Sequence, residues 1–292
     1  MGHALDGLLE LLDLEPIEVN IFRGVSPDEE RQRVFGGQVA GQALVAAGRT
    51  VDPDRRVHSL HAYFLRPGDP HIPILYEVDR IRDGKSFTTR RVVAIQHGKA
   101  IFHLSASFHV AEEGFDHHDP MPEVPSPDQL PTFQDRVKAM GDEVPEWFLR
   151  PRPIDTRNVQ HVWGPGGPDP GDRTGEPRQQ VWMRADGALP DDPMLHACVV
   201  AYASDMTLLD SILLPHQDAS WDRLMMASLD HAMWFHRPFR ADEWFLYDQA
   251  SPSASGARGL ARGSIFRADG TLAISVMQEG LVRIVGDPPR GQ

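Results

Sequence analysis

Two polar residues interrupt apolar runs in the second half of the chain: Asp205 in VVAYASDMTLL and Gln278 in AISVMQEG. An acid in such surroundings is costly to bury unless it is paired or put to use. Side chains of these two types can position a water molecule and accept its proton, which is general-base chemistry. Each alone also reads as a structural polar group satisfied by its neighbours, and for a lone amide that is the default. Histidine offers another route, because His58, His61, His196, His216, His231 and His236 are numerous enough to suggest a metal site or an imidazole base. No HExxH and no paired-cysteine motif accompanies them, so no metal or other cofactor is expected. His58, beside the start of a strand, is the reserve general base, while His117 and His118 in a Pro-rich stretch read as solvated surface. The chain has no GxSxG elbow, which disfavours a serine nucleophile of the α/β-hydrolase kind. Its single cysteine, Cys198, lies in HACVVAYA and reads as a buried thiol with no partner for a disulfide.

The elements that must hold these residues have ample material. The 292 residues are 41% apolar, enough for two domains of ~100–150 residues. A net charge of −13 disfavours nucleic acid and anionic membranes as partners, and any polyanionic ligand then needs a local basic pocket. Arg66, Arg237, Arg258 and Arg262 recur at strand ends and turns; most read as partners for the excess acids, and one or two as phosphate contacts. The N-terminal stretch has acids inside its apolar run and no basic start, so it reads as an amphipathic helix with Leu5, Leu8, Leu9 and Leu12 on one face. With neither a membrane-length apolar run nor a peroxisomal tripeptide in PPRGQ, a cytoplasmic protein is expected.

The same order of elements occurs twice. GGQVAGQALVAAGRTV reads as a helix opened by glycines, followed by the strands VHSLHAYFLRP, PILYEVDRIRDG, SFTTRRVVAIQHG and KAIFHLSASFHV. PMLHACVVAYASDMTLLDSILL reads as the second helix, followed by MASLDHAMWFHRP, EWFLYDQASPS, GARGLARGSIFRADG and TLAISVMQEGLVRI. Phe64 and Phe235, which open matching F-x-R-P segments, lie 171 residues apart, and the turn glycines Gly98 and Gly270 lie 172 apart. The division expected is 1–113 for the first repeat, 114–175 for a Pro/Gly-rich connection, and 176–292 for the second repeat. Within the connection, a short helix is expected near 132–140 and strand-like TRNVQHVW follows. One helix followed by a run of antiparallel strands is α+β, the recipe of a hotdog fold in which a curled sheet wraps a central helix. Gly36, Gly37, Ala40, Gly41, Ala43, Ala46 and Ala47 supply the small residues that such close packing needs. The amides of Gly37 and Gln38 at the helix start could additionally face an oxyanion.

The segments HAYFLRPGD, YASDMTLLDSILLPH, SLDHAMWFHRPFRADEW, SASGARG and VMQEG, in that order, resemble the acyl-CoA thioesterase II (TesB-like) family of double-hotdog enzymes. The resemblance spans nearly the whole chain and is weakest in its Pro-rich middle. It implies hydrolysis of fatty acyl-CoA and a catalytic trio that falls on Asp205, Ser228 and Gln278, with Ser228 where threonine is expected. The position matching Gln278 in the first repeat is Ala106, which points to one site per chain. Exposed faces of such sheets commonly pair, so a homo-oligomer is expected. Two alternatives stand beside this reading: a hotdog enoyl-CoA hydratase, for which no D-x-x-x-x-H pattern is present on the second helix, and a non-catalytic acyl-CoA-binding module.

Overall fold

The computed structural model describes residues 3–27, 32–139, 150–160, 178–216 and 223–285. At its centre two helices lie side by side. An amphipathic α1 (His3–Leu12) buries Leu5, Leu8 and Leu12 beneath them, as its spacing predicts. The central helices are α2 (Gly36–Gly48) and α4 (Pro193–Ser204); α3 (Phe133–Ala139) is the short helix expected in the connecting stretch. α4 is started by Asp192, whose carboxylate accepts from the Met194 amide at 2.9 Å, and by Pro193, which needs no partner for an amide it lacks. Ala197, Cys198, Val199, Val200, Ala201 and Ala203 are all buried, so the helix is enclosed on every side.

The two central helices run antiparallel, and glycines let them touch. A β-carbon on Gly37 would collide with the Tyr202 carbonyl, one on Gly41 would lie 3.2 Å from the Cys198 carbonyl oxygen, and one on Gly48 would lie 2.8 Å from Met194. Gly37, Gly41 and Gly48 thus serve helix–helix contact, in addition to the contact between helix and sheet that the sequence suggested.

A single antiparallel sheet of 13 strands surrounds the pair. The first half supplies β1 (Glu15–Glu18), β2 (Ile21–Gly24), β3 (Arg55–Phe64), β4 (Ile74–Asp83), β5 (Phe87–Gln96) and β6 (Lys99–Val110). The second supplies β7 (Ile154–Asn158), β8 (Arg178–Ala185), β9 (Leu224–Ser228), β10 (Asp230–Phe235), β11 (Phe245–Ser255), β12 (Arg258–Arg267) and β13 (Leu272–Ile284). Their order is β1-β2-β4-β5-β6-β3-β10-β13-β12-β11-β8-β7, with β9 also on β13. The order is a palindrome: β3 through β6 correspond to β10 through β13, and β2 to β8. The halves join at β3–β10, where Ser59 to Tyr63 pair with Trp234 to Asp230.

Two sequence expectations are corrected. The second helix does not run on to Leu214: it stops at Ser204, turns through Asp205 to Thr207, and tightens into a 3-10 segment, Leu208–Leu213. That segment lies flat on β12 and β13, where Gly259 and Gly280 leave room for Ile212 and Leu209. The expected strand MASLDHAMWF is broken at Leu229, whose amide bonds to Glu279 while its carbonyl accepts from Phe64. Asp230 fixes the break by accepting from the Glu279 amide at 2.6 Å. Met140, the end of TRNVQHVW from 161 on, and the glycine-rich stretch through 177 lie outside the described residues.

Candidate active site

Asp205 ends α4, and the start of α2 comes to meet it. Three elements converge there. Gln278, fully buried on β13, donates from Nε2 to Asp205 Oδ1 at 2.6 Å. Ser228, at the end of β9, donates to the same oxygen at 3.3 Å. The Gly37 amide, in the first turn of α2, also bears on the carboxylate and favours its charged form. Burial outweighs these contacts and raises the Asp205 pKa to about 6, with Gln278, Ser228 and Gly37 each pulling it down. A carboxyl held there is ionised at neutral pH and is a stronger base than a free one, which suits proton abstraction.

Oδ1 is occupied by two donors, and Oδ2 faces Gly36. A β-carbon on Gly36 would lie 2.6 Å from Oδ2 and 2.9 Å from the Phe64 ring. The missing side chain at residue 36 leaves room for the second carboxylate oxygen. The first half therefore contributes to the site through glycines and a helix terminus, neither of which carries a side-chain signal in the sequence.

The remaining residues singled out from sequence lie elsewhere. His58 Nε2 is 2.8 Å from Ser107 Oγ, beside Phe87 and His109, and not with Asp205; its reserve role as base is not supported by this placement. His61 packs edge-on against Trp234, His196 accepts from the Ala241 amide at 3.0 Å, and His236 lies 2.8 Å from Ser275 Oγ. His216 follows the 3-10 segment and bonds through its amide to the Leu213 carbonyl. Among the described histidines, His231 alone lies beside the cluster, buried next to Gln278 and Ser204. Burial pushes the Cys198 thiol pKa up, which suits an inert core residue. Arg237 bonds to Asp116 and the Leu272 carbonyl, and Arg258 pairs with Glu279 at 3.0 Å, whereas Arg262 is exposed. The Gly37 amide, singled out from sequence for an oxyanion, is directed to Asp205, and the Gln38 side chain holds Val25 and Ser26. Among the described residues, no group of three His, Cys, Asp or Glu side chains could hold a metal ion, and no helix is long and apolar enough to cross a membrane.

Arg66 lies in a cleft of about 640 Å³ lined also by His71, His97 and Lys99. Gly68 in the cleft wall accepts from the amide of Val34, two residues before α2, at 2.9 Å, and Phe64, two residues before Arg66, reaches Gly36.

One duplicated sheet curled about paired helices, with a buried acid, amide and hydroxyl where its halves meet, defines a class: the double-hotdog thioester hydrolases. Residues 166–281 match the acyl-CoA thioesterase family, and residues 26–109 match the acyl-CoA thioesterase N-terminal domain. Human acyl-coenzyme A thioesterase 8 is 44% identical over 94% of this chain and 88% of its own length. Acyl-CoA thioesterase 2 of Haemophilus influenzae is 40% identical over 97% of this chain and 99% of its own. Among solved structures, acyl-CoA thioesterase II TesB2 from Mycobacterium marinum superposes with a TM-score of 0.79 at 50% identity, covering 96% of this chain and 100% of that one. The chain belongs to the acyl-CoA thioesterase family.

Proposed function

We propose that Asp205, Ser228 and Gln278 are the residues with which this acyl-CoA thioesterase hydrolyses fatty acyl-CoA. The observation that carries the reading is the shared Asp205 Oδ1, held by Gln278 at 2.6 Å and Ser228 at 3.3 Å, with Oδ2 facing Gly36. Asp205 takes a proton from a water molecule, whose oxygen adds to the thioester carbonyl. The tetrahedral intermediate collapses, its carbon–sulfur bond breaks, and the thiolate of coenzyme A leaves and is protonated, giving a fatty acid and free thiol. Gln278 and Ser228 orient the carboxylate and the water, so no covalent acyl-enzyme is required.

The phosphates of coenzyme A need cations that an acidic chain supplies only locally, and the Arg66, Lys99, His71 and His97 cleft is the place for them. The division of labour follows the repeats: 1–113 as one hotdog, 114–175 as connection, and 176–292 as the hotdog bearing the trio. A cytoplasmic homo-oligomer is the expected setting. The decisive experiment is thiol release from short, medium and long acyl-CoA by the wild type and Asp205→Asn, with and without chelator. The reading requires chelator-resistant activity that the substitution removes. Full turnover by a folded Asp205→Asn variant would overturn it.

A further inference from the structure

Behind the carboxylate lies a second layer of buried polar groups. Ala232 pairs with Met277 in the β10–β13 ladder, so one step further His231 stands opposite Gln278. Both side chains point inward and are buried, at 1% and 0% exposure. Directly opposed residues place their β-carbons ~4.5–5.5 Å apart, close enough for the two to interact. In the first half the matching positions are Leu60 and Ala106, which the β3–β6 ladder also sets opposite each other. One half thus carries an apolar pair where the other carries an imidazole and an amide.

The hydrogen bonds give this pair a direction. Gln278 commits Nε2 to Asp205, and its Oε1 has no other partner. His231 Nε2 is 2.9 Å from Ser204 Oγ, and its Nδ1 likewise has no partner. Two of the few unsatisfied buried side-chain atoms among the described residues therefore belong to facing side chains. Burial lowers the His231 pKa to about 4, with Gln278 pulling it the other way, so at neutral pH the ring is uncharged and carries one N–H. With the proton on Nδ1, it meets Gln278 Oε1, and Nε2 accepts from the Ser204 hydroxyl, which then turns from the Ala201 carbonyl 3.0 Å away. With the proton on Nε2, two lone pairs would oppose each other in the core.

We infer that His231 is a positioning residue: its Nδ1–H holds Gln278 Oε1 and thereby fixes the amide with its nitrogen toward Asp205. The inference rests on the reading of Asp205, Ser228 and Gln278 as the catalytic trio. His231 acts only through Gln278.

Asparagine and glutamine separate the two ring nitrogens, since Asn places an amide nitrogen where Nδ1 stands and Gln places one where Nε2 stands. His231→Asn should keep most of kcat, while His231→Gln should lose about 10–100-fold, the usual cost of a misplaced supporting hydrogen bond. KM should be unchanged in both. Gln278→Leu should lose at least as much, and adding His231→Gln to it should cost nothing further. Equal kcat for the Asn and Gln variants, or additive losses in the double variant, overturns the inference while the trio stands. Wild-type kcat in Gln278→Leu instead overturns the trio and this inference with it. If either His231 variant fails to fold, ring nitrogen shifts of His231 in the wild type decide by NMR: an Nδ1–H tautomer supports the inference, and an Nε2–H tautomer overturns it.

Discussion

The antiparallel pair of central helices has two ends, and the duplication makes them equivalent in backbone but not in chemistry. At one end the start of α2 meets Asp205, the residue that closes α4. At the other the start of α4 meets the end of α2, closed by Arg49, as the contact of Gly48 with Met194 shows. Carried across by the repeat spacing, Ser228 becomes Val57, His231 becomes Leu60 and Gln278 becomes Ala106. The break at Leu229 falls where β3 bulges between Val57 and Ser59. Arg49 donates to the Leu14 carbonyl and to Asp13, which closes that end with a structural ion pair. The same backbone frame therefore bears an acid, amide and hydroxyl cluster at one end and a structural contact of buried Arg90 with Thr50 at the other.

The strongest way to break this comparison is to remove the first half. A fragment from residue 176 keeps the trio but loses the α2 terminus and the β3 partner of β10, and it should be insoluble or inactive; a soluble, fully active fragment would show that the junction is dispensable. Asp205→Asn should lower kcat by ~10²–10⁴-fold with a native-like fold, measured by thiol release. Gly36→Ala tests the contribution of the first half directly: its methyl group would crowd Oδ2, and a displacement of that order costs about 10²-fold in turnover. The equivalent test at the silent end, Gly48→Ala, should disturb only packing against Met194 and leave kcat near wild type.

The raised pKa of Asp205 also makes a thermodynamic prediction. A carboxyl whose folded-state pKa is above its unfolded value stabilises the fold fully below about pH 4, and that contribution is lost as pH rises through about 6. The ionised site thus costs the fold up to about 3 kcal/mol at neutral pH. Asp205→Asn should therefore melt higher than wild type at pH 8, with the gap closing toward pH 4. Turnover of the wild type should rise over the same interval, as the carboxylate forms. The smallest effect expected is that of Ser228→Thr, which keeps the hydroxyl and should keep most of the activity.

Much of this was legible in the sequence because it depends on periodicity. The β3 to β6 and β10 to β13 runs alternate, their helices are rich in Ala and Gly, and the repeat spacing aligns the halves. Asp205 and Gln278 stood out because each interrupts an apolar run. The end of α4 was misread because MTLLDSILL is as apolar as the helix before it, and only the fit of Leu209 and Ile212 over Gly280 and Gly259 separates the two. β2 and β8 were missed as partners of the repeats because each precedes its helix and is placed by tertiary pairing. His231 was visible only as one histidine among several, since its meaning depends on which residue β13 sets opposite it. The contribution of α2 to the site is legible only in part: the Gly37 amide stands out as an oxyanion donor and not as a partner of Asp205, and the absent side chain of Gly36 leaves no residue type to notice.

The β3–β10 seam has a consequence for how the chain reaches this state. Tyr63 and Asp230 are paired neighbours, yet roughly 170 residues of chain separate them, and contacts between such distant partners form slowly. During synthesis the first half emerges well before its complement, with β3 as an unpaired strand edge and the glycine-lined face of α2 uncovered. The seam is therefore expected to close late in folding. An edge waiting that long is open to β10 from a second nascent copy, so crowded synthesis raises the share of strand-exchanged dimers above that formed by well-separated chains.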